Sequence, residues 1–236
     1  RDVKSSMKKK GSLQKGDTVS VIAPNLPEVF ESHFAVPMSG AVLNAVNIRL
    51  DSEAIAFILQ HAEAKVVIVE REFSEVVSKA LKMIAHNPLV IDIDDPTYEG
   101  GELIGSTDYE AFIAEGDPEF AWQPPADEWE AISLNYTSGT TGNPKGAVLS
   151  NHNLHAVRPL MDNDQFEWVR LDPGERMLAV MPIAHIAGSG IGIIAFYQGG
   201  HLMVLPEFTP DGVLDCIDQG LVGFFLVPTA LQMLVM

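Results

Sequence analysis

A single cysteine, Cys216, occurs in 236 residues, which excludes an intramolecular disulfide framework and any zinc site built on several thiolates. Such cysteine usage fits a reducing compartment such as the cytoplasm. Basic side chains are scarce too: 15 Lys and Arg stand against 32 Asp and Glu, for a formal net charge of -17. An acidic surface repels phosphate backbones and anionic lipid at long range. General nucleic-acid or membrane-surface binding is therefore disfavoured, and an anionic ligand needs a local exception. Long apolar runs are also missing. Met177 to Pro206 holds no Asp, Glu, Lys or Arg, but Pro182, His185, Gly188, Gly190, Gly192, Gln198 and Gly199-Gly200 interrupt it. A membrane span needs about 20 mostly apolar residues, so two buried strands around a short apolar helix are expected instead. No secretory leader is expected at Arg1 to Lys15, which is basic and polar and reads as the tail of a helix.

What is present, 47% hydrophobic against 20% charged residues, is enough for a folded core. Thr18 to Ala23 is a β-branched run ending at Pro24-Asn25, and Pro27 stands where a helix to about Met38 can begin. Strands are expected at Ala41 to Val46, Lys65 to Val69 and Leu89 to Ile93. Helices are expected after the Asp51-Ser52-Glu53 cap and from about Ser74 to Ala85. Asp94 to Glu130 reads as a connecting excursion with a short helix near Tyr109 to Ala114. Strands near Ala131 to Tyr136, Met177 to Met181, His201 to Leu205 and Gly223 to Val227 follow, with helices at Asn151 to Met161 and Val227 to Met236. Strands alternating with helices indicate an α/β fold of layered, largely parallel sheets flanked by helices. No internal repeat is visible.

The stretch Tyr136-Thr-Ser-Gly-Thr-Thr-Gly-Asn-Pro-Lys-Gly146 follows an apolar strand and gathers glycines, hydroxyls and one lysine. Glycine lets main-chain N–H groups approach an oxyanion, hydroxyls add donors, and lysine adds positive charge. Lys145 is the only Lys or Arg between Lys82 and Arg158, which makes it the local exception that an acidic chain requires. The alternative is an ordinary Ser/Thr/Gly surface turn. The commoner Gly-x-x-x-x-Gly-Lys-Ser/Thr loop does not fit, because Asn143-Pro144 separates Gly142 from Lys145 and Gly146 comes next.

Residues Tyr136 to Gly146 resemble the phosphate-loop signature of the adenylate-forming superfamily, the AMP-dependent synthetases and ligases. Lys15 to Asn25, Gly40 to Arg49, Met181 to Gly188 and Phe225 to Met233 resemble further stretches of that family, in its order. The resemblance implies an ATP-dependent acyl-CoA synthetase, an AMP-forming acid–thiol ligase. A carboxylate would attack the α-phosphorus of ATP, and coenzyme A would then displace AMP. Thr137, Ser138, Gly139, Thr140, Thr141, Gly142 and Lys145 would hold the phosphates. Lys145 would be a charge clamp and not a nucleophile. His185 of the Pro-x-x-His pattern would lie by the carboxylate, with Gly188, Ser189 and Gly190 lining an acyl pocket; the alternatives are a hydrogen-bonded histidine in an apolar wall and close-packed backbone. Ala184 stands where the family commonly has phenylalanine.

The resemblance further implies Mg2+ and coenzyme A as co-substrates, a fatty or small carboxylic acid with medium chains slightly preferred, and a possible homodimer. Residues 1–236 are expected to be part of a large N-terminal AMP-binding domain. The magnesium carboxylate, the ribose contact and the adenylation lysine are expected outside this chain, as is a small C-terminal domain, so the chain alone is expected to be inactive. Two rival readings are a non-catalytic nucleotide- or partner-binding module and an amino-acid adenylation domain.

Other patterns carry less. His152 and His155 could mimic a metal pair but read better as a helix start capped by Ser150 or Asn151. Asp92, Asp94 and Asp95 could hold a hard cation but read better as a strand end entering a turn. Ser189 lacks the glycine two residues before it that a hydrolase elbow requires. Gly188-x-Gly190-x-Gly192 lacks the spacing of a dinucleotide fingerprint. Lys8-Lys9-Lys10 reads as a solvated helix face.

Overall fold

The computed structural model describes residues 5–7, 12–137, 143–157, 159 and 170–236. The chain divides into two units, residues 1–23 with 31–152 and residues 24–30 with 153–236.

In the first unit, seven strands form one sheet in the order β5-β4-β3-β1-β2-β6-β7. They are β1 (Thr18–Ile22), β2 (Val42–Ala45), β3 (Ala64–Glu70), β4 (Leu89–Ile93), β5 (Thr107–Asp108), β6 (Ala131–Thr137) and β7 (Lys145–Ser150). Every pairing is parallel except β6 with β7. All five residues of β1 are buried, as expected of a central strand covered on both faces.

Helices α1 (Pro27–Met38), α2 (Ser52–His61), α3 (Ser74–Leu81), α4 (Tyr109–Ala114) and α5 (Asn151–His155) punctuate these strands. Asp51 caps α2 by accepting from the Ala54 amide at 2.9 Å. The same helix buries Ile55, Ile58 and Leu59 with Val67, Val69 and Val77. Each such side chain contributes about 1.5–3 kcal/mol on burial.

The second unit carries a three-stranded parallel sheet in the order β10-β8-β9, formed by β8 (Arg176–Ala179), β9 (His201–Val204) and β10 (Leu221–Phe224). Helices α6 (Ile186–Tyr197), α7 (Pro210–Asp218) and α8 (Pro228–Val235) complete it. Ala195 of α6 packs with Leu171 and Met177, whereas Val213 and Cys216 of α7 pack with Leu178 and Val180. Residues 177–206 form the expected strand, apolar helix and strand, but only the first strand is buried: β9 has His201 exposed and Leu202 to Val204 half-buried. Among the described residues no helix is long and apolar enough to cross a membrane. Burial, with Asp215 close by, pushes the Cys216 thiol up, so it stays protonated.

The expected elements recur with shifts of a few residues and four instructive differences. Helix α3 stops at Leu81 rather than Ala85, because the Ala85 amide turns aside to the Gln60 side chain at 2.7 Å and His86 reaches the Ala64 carbonyl at 3.0 Å. The excursion after Asp94 contributes β5, a two-residue edge strand beside β4. Helix α7 was not expected, although Thr209 caps it and Pro210 begins it. The fourth difference, strand β7, bears on the site.

Candidate functional site

The flanks of the phosphate-loop signature belong to two paired strands. Strands β6 and β7 pair antiparallel with Tyr136 opposite Gly146 and Thr137 opposite Lys145. The Thr137 hydroxyl faces the Lys145 carbonyl at 3.4 Å. Both residues are exposed where the strands run out into the turn. Among the described residues no carboxylate pairs with Lys145, so its charge remains available to an anion. Ser138, Gly139, Thr140, Thr141 and Gly142 lie outside the described residues.

The stem of this hairpin is held from beside it. The Tyr136 hydroxyl lies 2.6 Å from Nδ1 of His61, the last residue of α2, and the two rings meet edge to face. Phe57, one turn earlier, stacks on the same imidazole. Burial pushes the Tyr136 phenol up, so it stays neutral and shares a hydrogen bond with the His61 imidazole. Gly146 approaches the facing strand closely: a Cβ there would come within 2.7 Å of Leu134 Cδ1, the end of a side chain that can turn aside. The sequence marks Tyr136 only as the first residue of the signature and His61 not at all, because nothing about an isolated histidine 75 residues upstream shows which strand it meets.

His185 belongs to the second unit, where it is exposed and caps α6, its Nδ1 accepting from the Ala187 amide at 3.1 Å. That bond needs Nδ1 unprotonated, which leaves Nε2–H as a donor of the kind a carboxylate oxygen accepts. The turn before it is tight, with the His185 amide donating to the Pro182 carbonyl at 2.9 Å. The three proposed pocket residues behave differently from one another. A Cβ on Gly188 would lie 2.3 Å from the Pro182 carbonyl oxygen, so its smallness serves backbone packing and not pocket volume. Ser189 is buried, with its hydroxyl donating to the His185 carbonyl at 3.2 Å. Gly190 alone has room, its nearest neighbour being Ile186 Cδ1 at 3.8 Å.

The remaining titratable clusters have structural uses. His152 stacks on Trp129 with ring centroids 4.0 Å apart and lies 3.3 Å from Glu128. Asp92 accepts from the Ile104 and Gly105 amides, Asp94 pairs with Arg71, and Asp95 accepts from Thr97. Among the described residues no group of three His, Cys, Asp or Glu could hold a metal ion. A cleft of about 270 Å³ in the first unit, lined among others by Lys15, Met38, Trp122 and Ile132, opens at the Ala131 end of β6. The loop leaves from the other end of that seven-residue strand, about 20 Å away at strand rise, so the cleft is not the phosphate site.

Residues 5–236 match the family of AMP-binding enzymes. The chain belongs to this family. It is 41% identical over 95% of its length to an acetate–CoA ligase of Humulus lupulus, and spans 41% of that protein. An acetate/butyrate–CoA ligase of Arabidopsis thaliana, named as peroxisomal, is 42% identical over 75% of the chain, which spans 32% of it. Among solved structures, ATP-bound MatB from Rhodopseudomonas palustris superposes with a TM-score of 0.78 at 23% identity, covering 100% of this chain and 44% of that one. That likeness establishes the fold: a mostly parallel sheet flanked by helices, as in the family. Within that fold Thr137 and Lys145 pair at the end of the β6–β7 ladder, and His185 follows Pro182 by three residues.

Proposed function

We propose that the whole protein is an ATP-dependent, AMP-forming acid–thiol ligase for a small carboxylic acid, and that residues 1–236 form part of its large AMP-binding domain. The observation that carries this is the β6–β7 ladder, which sets Thr137 opposite an exposed Lys145, with no carboxylate partner among the described residues, at the two ends of the Gly/Ser/Thr sequence in an otherwise acidic chain. A carboxylate oxygen attacks the α-phosphorus of ATP, the bond to the bridging oxygen breaks, and pyrophosphate leaves. Coenzyme A sulfur then attacks the acyl carbon and AMP departs with its oxygen. Charge accumulates on the leaving pyrophosphate in the first step, so donors fixed at the loop stabilise that transition state more than the ground state.

In this reading Thr137, Ser138, Gly139, Thr140, Thr141, Gly142 and Lys145 bind the polyphosphate, which arrives as its Mg2+ complex. His185 offers Nε2–H to the carboxylate beside the opening at Gly190. A small acid is favoured over a medium chain by the acetate and acetate/butyrate names of the two relatives and by the closed packing at Gly188 and Ser189. Cys216, buried and thiol-bearing, is compatible with the cytoplasm and equally with the peroxisome named for the Arabidopsis relative. The deciding assay is carboxylate-dependent pyrophosphate release by the full-length protein across acids from acetate upward. Release that rises with acetate or butyrate supports the proposal; nucleotide binding without release points to a non-catalytic module, and release driven only by amino acids points to an adenylation domain.

A further inference from the structure

Asn25 lies just after β1, 160 residues before His185 in the chain, and is buried at 5% exposure. Its side-chain amide is fully used within the second unit. Nδ2 donates to the carbonyls of Met181 and Leu205, both at 3.1 Å, and Oδ1 accepts from the Ile183 amide at 2.8 Å. Met181 and Ile183 flank Pro182, which has no N–H of its own to offer. The asparagine amide therefore stands in for a neighbouring peptide group, pairing across the proline as a strand residue would. Leu205 follows the end of β9, so one side chain fixes the ends of two segments at once. From Ile183 the path to His185 is short, because the His185 amide donates to the Pro182 carbonyl and the imidazole then caps α6.

We propose that Asn25 is a positioning residue for the carboxylate end of the reaction, acting by holding the 181–185 turn that presents His185. The assignment rests on reading His185 as the group beside the substrate carboxylate. No other side chain reproduces the contacts. Aspartate has the shape but no donor, and would set a negative oxygen against two carbonyls. Alanine removes both donors and the acceptor, so the Met181 and Leu205 carbonyls and the Ile183 amide each lose this bond. Displacing a substrate-facing group by as little as about 1 Å is enough to cost up to 100-fold in efficiency.

The test uses the full-length protein and steady-state pyrophosphate release with ATP and acid varied separately. Asn25→Asp and Asn25→Ala are expected to raise KM for the acid by about tenfold or more while KM for ATP moves less than about twofold. A loss confined to kcat, with both KM values unchanged, is what a purely structural role gives and overturns the proposal. A variant that does not fold is replaced by hydrogen exchange on the wild-type protein. There, an Ile183 amide protected as strongly as the β8 amides supports the proposal, and fast exchange at Ile183 overturns it. If wild type releases no pyrophosphate with any carboxylate, the ligase reading fails, while the exchange measurement still decides whether Asn25 holds the turn.

Discussion

The hairpin of Thr137 and Lys145 and the turn of His185 are built on opposite plans. The hairpin joins residues eight apart in sequence through an antiparallel ladder, and its special residues sit in one unbroken string. The turn depends on an amide 156 to 158 residues away and on the absence of a Cβ at Gly188. In the first region the proposed phosphate contact and the scaffold are separable, because the lysine is exposed while the stem is held at Tyr136 by His61. In the second they are fused: His185 is at once the proposed carboxylate donor and the cap of α6.

Substitutions should expose that contrast. Lys145→Ala should lower carboxylate-dependent pyrophosphate release about 100- to 1000-fold, the scale for deleting one donor aimed at transition-state charge. As an exposed side chain, it should change unfolding free energy by less than about 0.5 kcal/mol in a urea titration. His185→Ala should cost both properties together. KM for the acid should rise about tenfold or more, from a lost bond to a charged oxygen, and stability should fall by about 0.5–2 kcal/mol, from the lost cap. A variant weakened in catalysis yet fully stable would separate what the structure fuses.

Gly188→Ala should destabilise by about 1–3 kcal/mol through forced overpacking against the Pro182 carbonyl. An unchanged melting curve would mean that the turn has slack. Tyr136→Phe is the mildest, since the ring stays and only the bond to His61 is lost, a matter of about 0.5–1.5 kcal/mol. Burial raises the Tyr136 phenol above its ordinary 10.0. The protonated form is thus favoured by folding, and its contribution is complete below that ordinary value and lost as pH climbs through the raised one. Wild type should therefore lose its advantage over Tyr136→Phe in strongly alkaline solution; an advantage that persists there would contradict the burial argument.

Much of the fold was readable because periodicity and punctuation are local. Thr18–Ile22, Leu89–Ile93 and Tyr109–Ala114 stand where β-branched runs and a capping Asp108 place them. The phosphate-loop signature was readable for the same reason. Strand β7 was not, because Lys145 and Gly146 have poor strand propensity and only pairing with β6 makes them extended. His61 and Asn25 were beyond reach, since a lone polar residue does not announce the distant backbone or ring it will meet. Gly188 and Ser189 were read as pocket lining, yet the same smallness serves close packing, and only the position of the neighbouring carbonyls distinguishes the two.

The most direct test of the hairpin as a polyphosphate site is calorimetric titration of ATP into the full-length protein without any carboxylate, wild type against Lys145→Ala. Affinity weakened at least about tenfold in the variant, with the fold intact, is the predicted result for removal of a charged phosphate contact. Equal affinity in the two proteins would contradict it.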